Sequence, residues 1–149
     1  MKPLSENRRA RFDYEILETI EAGLVLKGFE VKAAKLGRMQ ITGSHVIIQK
    51  GAPVLIGSQI SPYQAKNTPE DYDPQRIRKL LLNKREIARL VGLSKERGLT
   101  IVPLRVYTSS RGILKLECGI SRGKKEHDKR EKIKERETQR EIERALKRG

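Results

Sequence analysis

The sequence predicts a mainly β fold: a small closed barrel of six or seven short strands, with helical segments inserted between them. Three observations predict it. Short apolar runs with period-two alternation recur over about residues 12–120. A proline-containing loop and a helical stretch precede the last two strands. This many short strands in so short a chain favours a closed barrel over a parallel sheet.

The first half of the chain reads as strands around one short helix. "FDYEIL" predicts a strand with Phe12, Tyr14 and Ile16 on one face, and "AGLVLKG" follows it. "FEVKAAKLG" predicts one or two helical turns closed by Gly37. "RMQITG", "SHVIIQK" and "VLIGSQI" predict strands, with a turn at "KGAPV".

A loop and a first helix are predicted next. Residues 61–73, "SPYQAKNTPEDYD", are rich in residues that favour turns. Asp73 followed by proline is typical of a helix start. Ile77, Leu80 and Leu81 then lie at helical spacing, which predicts a helix with Arg76, Arg78 and Lys79 opposite its apolar face.

A second helix and a hairpin complete the body. Asn83 and Glu86 have the spacing of a capping box, and Gly98 follows the helix. The apolar face of this helix is formed by Ile87, Leu90, Val91 and Leu93. "LTIVPLRVY" and "GILKLECGI", joined by "TSSR", predict two strands of a hairpin.

The charge of the chain indicates a polyanionic partner. Among 149 residues there are 33 Lys and Arg against 19 Asp and Glu, giving a net charge of +14. Such a surplus favours nucleic acid. A membrane is the weaker alternative, because Trp is absent and no apolar run is long enough to span a bilayer. A single cysteine, Cys118, excludes an internal disulfide, and we expect a cytoplasmic protein.

Composition divides the chain into three parts. We predict a basic N-terminal arm at residues 1–11, a β-barrel RNA-binding domain at 12–121 and a basic tail at 122–149. The tail is rich in helix formers but has almost no apolar face, so we expect it to be disordered alone and helical on a polyanion. A nonspecific solubilising tail is the alternative.

The sequence offers no pattern for catalysis. His45 and His127 are far apart, and Cys118 has no metal-ligand partner nearby. We therefore expect no enzyme activity, no metal and no cofactor. One alternative is a two-metal nuclease site built from separate carboxylates. Its candidate ligands are Asp13, Glu30, Asp71 and Asp73.

The basic residues favour RNA. Arg8, Arg9 and Arg11 precede the first strand, as either a flexible arm or a phosphate clamp. No acidic residue lies between Arg76 and Arg85, which favours phosphate binding over an ordinary solvated face. Aromatic residues are few, which favours recognition of folded RNA by backbone and shape over stacking on a bare strand.

Five stretches resemble the SsrA-binding protein family, also called small protein B: "GFEVKAAKLGR", "DPQRIRKLLLNKREI", "ERGLTIVPLRVY", "GKKEHDKRE" and "IKERE". The resemblance covers nearly the whole chain from Asn7 onward. It implies an antiparallel barrel of the oligonucleotide-binding type with three helices and no catalysis. It also implies binding to the tRNA-like domain of transfer-messenger RNA (tmRNA) and delivery to stalled ribosomes, where the tail senses the empty mRNA channel. We expect a monomer whose partners are tmRNA and small-subunit rRNA.

The resemblance also implies site residues. Those that match RNA-binding motifs of the body are Asn7, Arg8, Arg9, Arg11, Gly28, Glu30, Lys32, Arg76, Arg78, Lys79 and Lys84. Those that match the decoding-centre and channel segment are Lys124, Lys125, His127, Asp128, Lys129, Arg130, Lys132, Lys134 and Arg136. Glu30 is implied to contact RNA directly as an acceptor. A ribosomal or tRNA-binding structural protein is the second alternative.

Two positions depart from the family pattern. Phe12 stands where the family usually has His, so a polar role there is lost or altered. Ala33-Ala34-Lys35 stands where the family often has Ser-Leu-Arg, which keeps a positive charge but lacks the hydroxyl.

Overall fold

The computed structural model describes residues 3–124, 136–137 and 139–145. Residues 3–124 form nine strands, three α-helices and one 3-10 turn. The strands are β1 Ser5–Glu6, β2 Tyr14–Leu24, β3 Met39–Gln40, β4 His45–Gln49, β5 Ala52–Ile56, β6 Gln59–Ile60, β7 Arg78–Leu81, β8 Leu99–Thr108 and β9 Leu114–Gly123. The helices are α1 Ala10–Asp13, α2 Gly28–Lys35 and α3 Lys84–Ser94, and the 3-10 turn is Ala65–Asn67. The fold is therefore mainly β, as predicted.

Seven strands form one antiparallel sheet. Their order is β1-β8-β4-β5-β7-β2-β9, and β8 pairs with β9 as well as with β4. Strands β3 and β6 form a separate two-stranded sheet. The predicted hairpin of the last two strands is confirmed, since β8 and β9 pair along almost their whole length. Bulges interrupt the register between Ile16 and Glu18 and between Pro103 and Arg105.

The core lies between the sheet and the faces of α2 and α3. Val106 and Leu116 are paired across β8 and β9, and each has no exposed surface. Ala34 of α2 and Leu90 of α3 are equally buried. Cys118 of β9 is a free thiol, 1% exposed, and its burial raises its pKa to about 12.

The predicted first strand is partly wrong. Residues 10–13 form α1, so Phe12 belongs to a helical turn and β2 begins only at Tyr14. Beyond that point the predicted period-two alternation is present along β2. Tyr14 and Ile16 pack on a small cluster of Ala10, Val102 and Leu104, which lies apart from the main core. This cluster gives α1 its position.

The predicted helix after Asp73 is wrong. Asp73 does cap the backbone, because its Oδ1 accepts from the Gln75 N–H at 2.9 Å, but the chain then enters β7. Along β7 the pattern is strand-like: Arg78 and Leu80 are buried, whereas Lys79 and Leu81 are exposed. Arg78 therefore lies inside the molecule and not on an exposed helix face.

The second predicted helix is confirmed. In α3 the Asn83 Oδ1 accepts from the Glu86 N–H at 2.8 Å, and a Glu86 carboxylate oxygen accepts from the Asn83 N–H at 3.2 Å. This is the predicted capping box. Leu90 is its fully buried residue.

The N-terminal residues pack on the sheet. β1 pairs with β8, with Ser5 opposite Val106. Asn7 is 7% exposed; its N–H donates to the Leu104 carbonyl at 2.8 Å and its Nδ2 donates to the Pro103 carbonyl at 3.0 Å. The flexible-arm interpretation therefore does not fit residues 5–10, which are held by strand pairing and a buried amide.

Lys50 is expected to strain the turn between β4 and β5. Gln49 pairs with Ala52, and the two residues between them have positive φ angles, 52° at Lys50 and 77° at Gly51. This is the geometry of a hairpin turn in which Asn-Gly is preferred. We predict that Lys50→Asn raises the free energy of unfolding by about 0.5–1 kcal/mol, measured by urea denaturation.

Lys79→Asn is the matched control, because it removes the same charge at an exposed strand position without positive φ. It is expected to give no gain in stability. Equal effects of the two substitutions would contradict the role of the turn.

Candidate nucleic-acid interface

Glu30 is the centre of a buried ionic network. On α2 it lies at i, i+3 and i+4 to Ala33 and Ala34, and all three are fully buried. Its Oε1 accepts from the Lys27 N–H at 2.9 Å, which satisfies one donor of the first helical turn. The helix therefore directs this carboxylate inward.

Two arginines from the β6–β7 region bind this carboxylate. Arg76 donates to both oxygens of Glu30, through Nε to Oε2 at 3.0 Å and through Nη2 to Oε1. Arg78 donates to Oε2 through Nη2 at 2.8 Å and Nε at 3.3 Å. The side chain of Arg78 has no exposed surface, whereas that of Arg76 is 25% exposed. Both pairs therefore join α2 to a segment some 46 residues away.

The remaining donors of Arg78 are also used. Nη1 donates to the carbonyl and the hydroxyl of Ser58, at 3.0 and 3.1 Å. Nη2 donates further to the Tyr72 hydroxyl at 3.0 Å and to the Pro74 carbonyl at 2.9 Å. Since a buried charge is tolerated only when paired and hydrogen-bonded, this arrangement explains how β7 holds an arginine in the interior.

Tyr72 completes the network. Its hydroxyl lies 2.8 Å from Glu30 Oε2, to which it donates, and its ring meets Phe29 edge to face at a centroid distance of 4.8 Å. Burial, and then the hydrogen bond to Glu30, raise the pKa of Tyr72 to about 12. Tyr72 thus ties the 61–77 loop to α2 by both an aromatic and a polar contact.

The network fixes the charge state of Glu30. Burial alone would raise its pKa, but hydrogen bonds from Arg76, the Lys27 N–H, Arg78 and Tyr72 outweigh burial and lower the pKa to about 2. Glu30 is therefore ionised at neutral pH. Two guanidinium groups against one carboxylate leave a net charge of about +1.

The structure divides the predicted body residues by exposure. Those that are exposed are Arg8, Arg9, Arg11, Gly28, Lys32, Lys79 and Lys84. Arg76 is half-buried, and the buried ones are Asn7, Glu30 and Arg78. The structure joins Glu30, Arg76 and Arg78 in one network, so the predicted run of unbalanced charge between Arg76 and Arg85 is partly neutralised by a distant residue.

Apart from Gly28, the exposed residues among these are cations on the surface of the protein. Both oxygens of Glu30 already accept hydrogen bonds inside the protein. Direct contact of Glu30 with RNA stays a prediction. The side chain of Asn7 likewise binds the backbone of β8, and its contact with RNA also stays a prediction.

A cleft of about 460 Å³ lies between the N-terminal segment and the outer faces of β8 and β9. Its charged lining residues are Glu6, Arg8, Arg11, Arg105 and Glu117. Arg8 Nε lies 3.6 Å from Glu6 Oε2, and Arg105 Nε donates to Glu117 Oε2 at 3.0 Å. Three cations and two anions thus line one opening.

The described part of the tail contacts α1. Residues 139–145 are helical, in agreement with their content of helix formers. Arg136 is exposed, and its guanidinium carbon lies 6.0 Å from the centroid of the Phe12 ring, with that of Arg9 at 5.9 Å. Phe12 therefore offers an aromatic face to two arginines.

Of the other predicted tail residues, the structure describes Lys124. Lys124 is half-buried, and its Nζ donates to the Arg11 carbonyl at 2.9 Å. The predicted roles of Lys125, His127, Asp128, Lys129, Arg130, Lys132 and Lys134 fall outside the described residues.

Three of the four carboxylates of the nuclease alternative have other partners. Asp13 pairs with Arg9 at 3.3 Å, Asp73 caps the Gln75 N–H and Glu30 belongs to the buried network. Among the described residues, no three His, Cys, Asp or Glu side chains are grouped closely enough to hold a metal ion.

Within the same residues, no helix combines the length and hydrophobicity needed to cross a bilayer.

Sequence reasoning missed Ser58, Tyr72 and Arg105. Ser58 and Tyr72 lie in loops, where no periodicity indicates which way a side chain points. A signal was present for Arg105, because it alternates with the apolar Leu104 and Val106 and so belongs to the outer face of its strand.

Comparison with known proteins gives consistent matches. The model of the SmpB protein family matches residues 4–148. The SsrA-binding protein of Thermosynechococcus vestitus is 49% identical over 147 residues, covering 99% of this chain and 96% of the relative. The SsrA-binding protein of Geobacillus thermodenitrificans is 48% identical over 145 residues, covering 97% of this chain and 92% of the relative.

A solved structure agrees with these matches. It is described as "tmRNA-SmpB: a journey to the center of the bacterial ribosome" and is 50% identical to this chain. The TM-score is 0.66, and the match covers 81% of this chain and 84% of the other.

Proposed function

Because the chain belongs to the SmpB protein family, we propose that it binds tmRNA and acts as a noncatalytic adaptor in trans-translation, delivering tmRNA to stalled ribosomes. The observation that carries the proposal is the family match over residues 4–148. Its relatives are SsrA-binding proteins, and its structural neighbour combines tmRNA, SmpB and the ribosome. The proposed partners are tmRNA and small-subunit rRNA, and the proposed location is the cytoplasm.

The charge and its placement support this role. A net charge of +14 suits binding to phosphate backbones. We propose that the exposed body cations contact RNA, and these are Arg8, Arg9, Arg11, Lys32, Lys79 and Lys84. Glu30, Arg78 and Asn7 are proposed to act by holding the loops and strands that present these cations.

The fold supports a finer proposal. We infer that six strands of the seven-stranded sheet form a closed barrel of the oligonucleotide-binding type. In favour of this, the pairings run from β8 through β4, β5, β7, β2 and β9 and return to β8, while β1 pairs with β8 alone. Barrels of this kind bind nucleic acid on an outer face and on the loops between strands.

The division of labour along the chain is also a proposal. Residues 12–121, with residues 4–11 of the N-terminal segment packed on them, would bind the tRNA-like domain of tmRNA. The tail, 122–149, would enter the empty mRNA channel. Its helical residues 139–145 and its many basic side chains suit an RNA-walled channel.

The test is selective retention of one RNA. Affinity capture of the full chain from a bacterial lysate, followed by RNA sequencing, is expected to enrich tmRNA strongly over tRNA and rRNA. A gel-shift titration with purified tmRNA and an elongator tRNA supplies the matched comparison. The logarithm of affinity should fall linearly with that of salt concentration.

The competing function is that of a ribosomal or tRNA-binding structural protein. It predicts that the chain captures ribosomes or tRNA without tmRNA. That outcome would overturn the adaptor function while leaving the family assignment unchanged.

A further inference from the structure

We propose that the cleft between the N-terminal segment and strands β8 and β9 is a binding site for the phosphate backbone of RNA, with Arg105 as a further contact residue. The inference rests on the proposed function, because it takes the polyanion to be tmRNA. Neither the family resemblance nor charge runs in the sequence had singled out Arg105.

Strand pairing fixes the geometry of the cleft. β1 pairs with β8 so that Glu6 lies opposite Arg105. Asn7 is then held by two hydrogen bonds to the backbone of β8, at 2.8 and 3.0 Å. Since α1 follows at once and Ala10 is buried against Val102 and Leu104, the chain between these anchors lies beside Arg105. Arg8 and Arg11 are thereby kept at the same opening.

Arg105 is oriented before any ligand arrives. Its neighbours Leu104 and Val106 are buried, so its side chain lies on the outer face of β8, where it is 44% exposed. Its guanidinium carbon lies 5.2 Å from the centroid of the Tyr107 ring, whose hydroxyl donates to Glu21. The stacked ring and the Nε bond to Glu117 limit the rotamers of Arg105, which reduces the entropy lost on binding.

The hydrogen-bonding groups of Arg105 suit a phosphate. Among the described residues, its one hydrogen bond is made by Nε to Glu117, which leaves its two terminal nitrogens for a ligand. Two terminal N–H donors in a rigid plane match two phosphate oxygens. Arg8, with its side chain 89% exposed, and Arg11 can add further charge from across the cleft.

The two carboxylates of the cleft do not prevent phosphate binding. Glu6 and Glu117 each face one arginine through an exposed or half-exposed pair. Exposed pairs of this kind contribute little to stability, so a change of partner at the arginine costs little. With three arginines and two glutamates, the lining carries a net charge of about +1 before the ligand binds.

The experiment measures tmRNA affinity of the full chain against salt concentration for four variants. Arg105→Ala is expected to weaken binding by about fivefold and to reduce the salt slope by about 1. Arg105→Lys, which keeps the charge but lacks the planar fork, should lose part of that affinity. Glu117→Gln keeps an oxygen acceptor for Arg105 Nε but removes the negative charge that repels a phosphate, so it should tighten binding. Arg89→Ala is the charge-matched control, since Arg89 is paired with Glu18.

The outcomes separate the two levels of the proposal. If the wild-type chain fails to bind tmRNA, the proposed function is overturned. If it binds and Arg105→Ala has the affinity, salt slope and melting temperature of Arg89→Ala, only the cleft is overturned. If Arg105→Ala lowers the melting temperature, the tmRNA affinities of Glu117→Gln and Arg105→Lys test the cleft instead. Unchanged affinity in both variants would overturn the proposal. Tighter binding by Glu117→Gln together with weaker binding by Arg105→Lys would support it.

Discussion

Replacing Glu30 with alanine is expected to lower the free energy of unfolding by about 3–5 kcal/mol. The substitution leaves Arg78, which has no exposed surface, without its counter-ion. It also leaves Arg76 and Tyr72 without their shared acceptor. Since small domains are stable by about 5–15 kcal/mol, much of the stability of this domain depends on one carboxylate. Urea denaturation of the two proteins measures the difference.

Two matched variants separate burial from charge. Glu18→Ala removes a carboxylate that also pairs with an arginine, but on the surface, and it should cost less than about 1 kcal/mol. Glu30→Gln keeps the shape of the side chain and removes only its charge, so its cost should approach that of Glu30→Ala. A cost for Glu30→Ala no larger than that for Glu18→Ala would contradict the network as a source of stability.

Acid titration provides a second readout of Glu30. The pKa of Glu30 is about 2 in the folded chain and near its ordinary value of 4.5 in the unfolded chain. On acidification the unfolded chain therefore binds the proton first. The stabilisation is complete above about pH 4.5 and is lost as the pH falls toward 2. Glu30→Gln should remove the loss of unfolding free energy between about pH 4.5 and pH 2 that comes from Glu30, and leave the contributions of other groups unchanged.

RNA binding gives a third comparison. Glu30→Ala removes a negative charge, so a purely electrostatic surface would bind tmRNA more tightly. We expect weaker binding, because Arg76 and the 61–77 loop lose their attachment to α2. The binding is best measured by gel shift at a temperature where the variant is still folded.

Ending the chain after Lys124 is expected to abolish the tagging of stalled peptides and to leave tmRNA affinity nearly unchanged. This cut preserves β9, which extends to Gly123, and the bond from the Lys124 N–H to the Asp13 carbonyl at 3.0 Å. The buried network and the arginine cleft lie wholly in the part retained. A gel shift measures affinity, and a tagging reaction on ribosomes with truncated mRNA measures function.

The exact position of the cut provides the control. A chain ending after Arg122 also lacks Gly123, which pairs with Tyr14, and Lys124, which bonds to α1. That variant should be less stable, whereas the chain ending after Lys124 should melt as the full chain does. If removal of residues 125–149 lowers tmRNA affinity in parallel with tagging, the proposed division of labour is wrong.

Local patterns predicted most of the elements correctly. The stretch "FEVKAAKLG", closed by Gly37, predicted α2, and the capping box of Asn83 and Glu86 predicted α3. Both depend on contacts within one or two helical turns. The alternation along β2 predicted a strand for the same reason.

The segment that gives the network its arginines was predicted wrongly for a physical reason. Ile77, Leu80 and Leu81 have helical spacing, but only Leu80 is buried in the structure, whereas Ile77 and Leu81 are 46% and 64% exposed. What decides for a strand is pairing with β2 and β5, which lie far away in sequence. The predicted helix put Arg78 outside, opposite the apolar face, and no local pattern indicates its burial, because its partner Glu30 is 48 residues away.

The burial of Glu30 could have been predicted. It shares a helical face with two alanines, and a carboxylate on such a face requires internal donors. The identity of those donors could not be predicted, since Tyr72 and Ser58 come from irregular segments.

Cys118 makes the opening of this fold measurable without an engineered cysteine. It is the single cysteine of the chain and lies on β9, opposite Ile20 of β2. A thiol with a pKa of about 12 and 1% exposure does not react at neutral pH while the strands stay paired. Its rate of alkylation therefore counts how often β9 separates from its neighbours. The same assay on the ribosome would report whether the sheet stays closed when the tail is engaged.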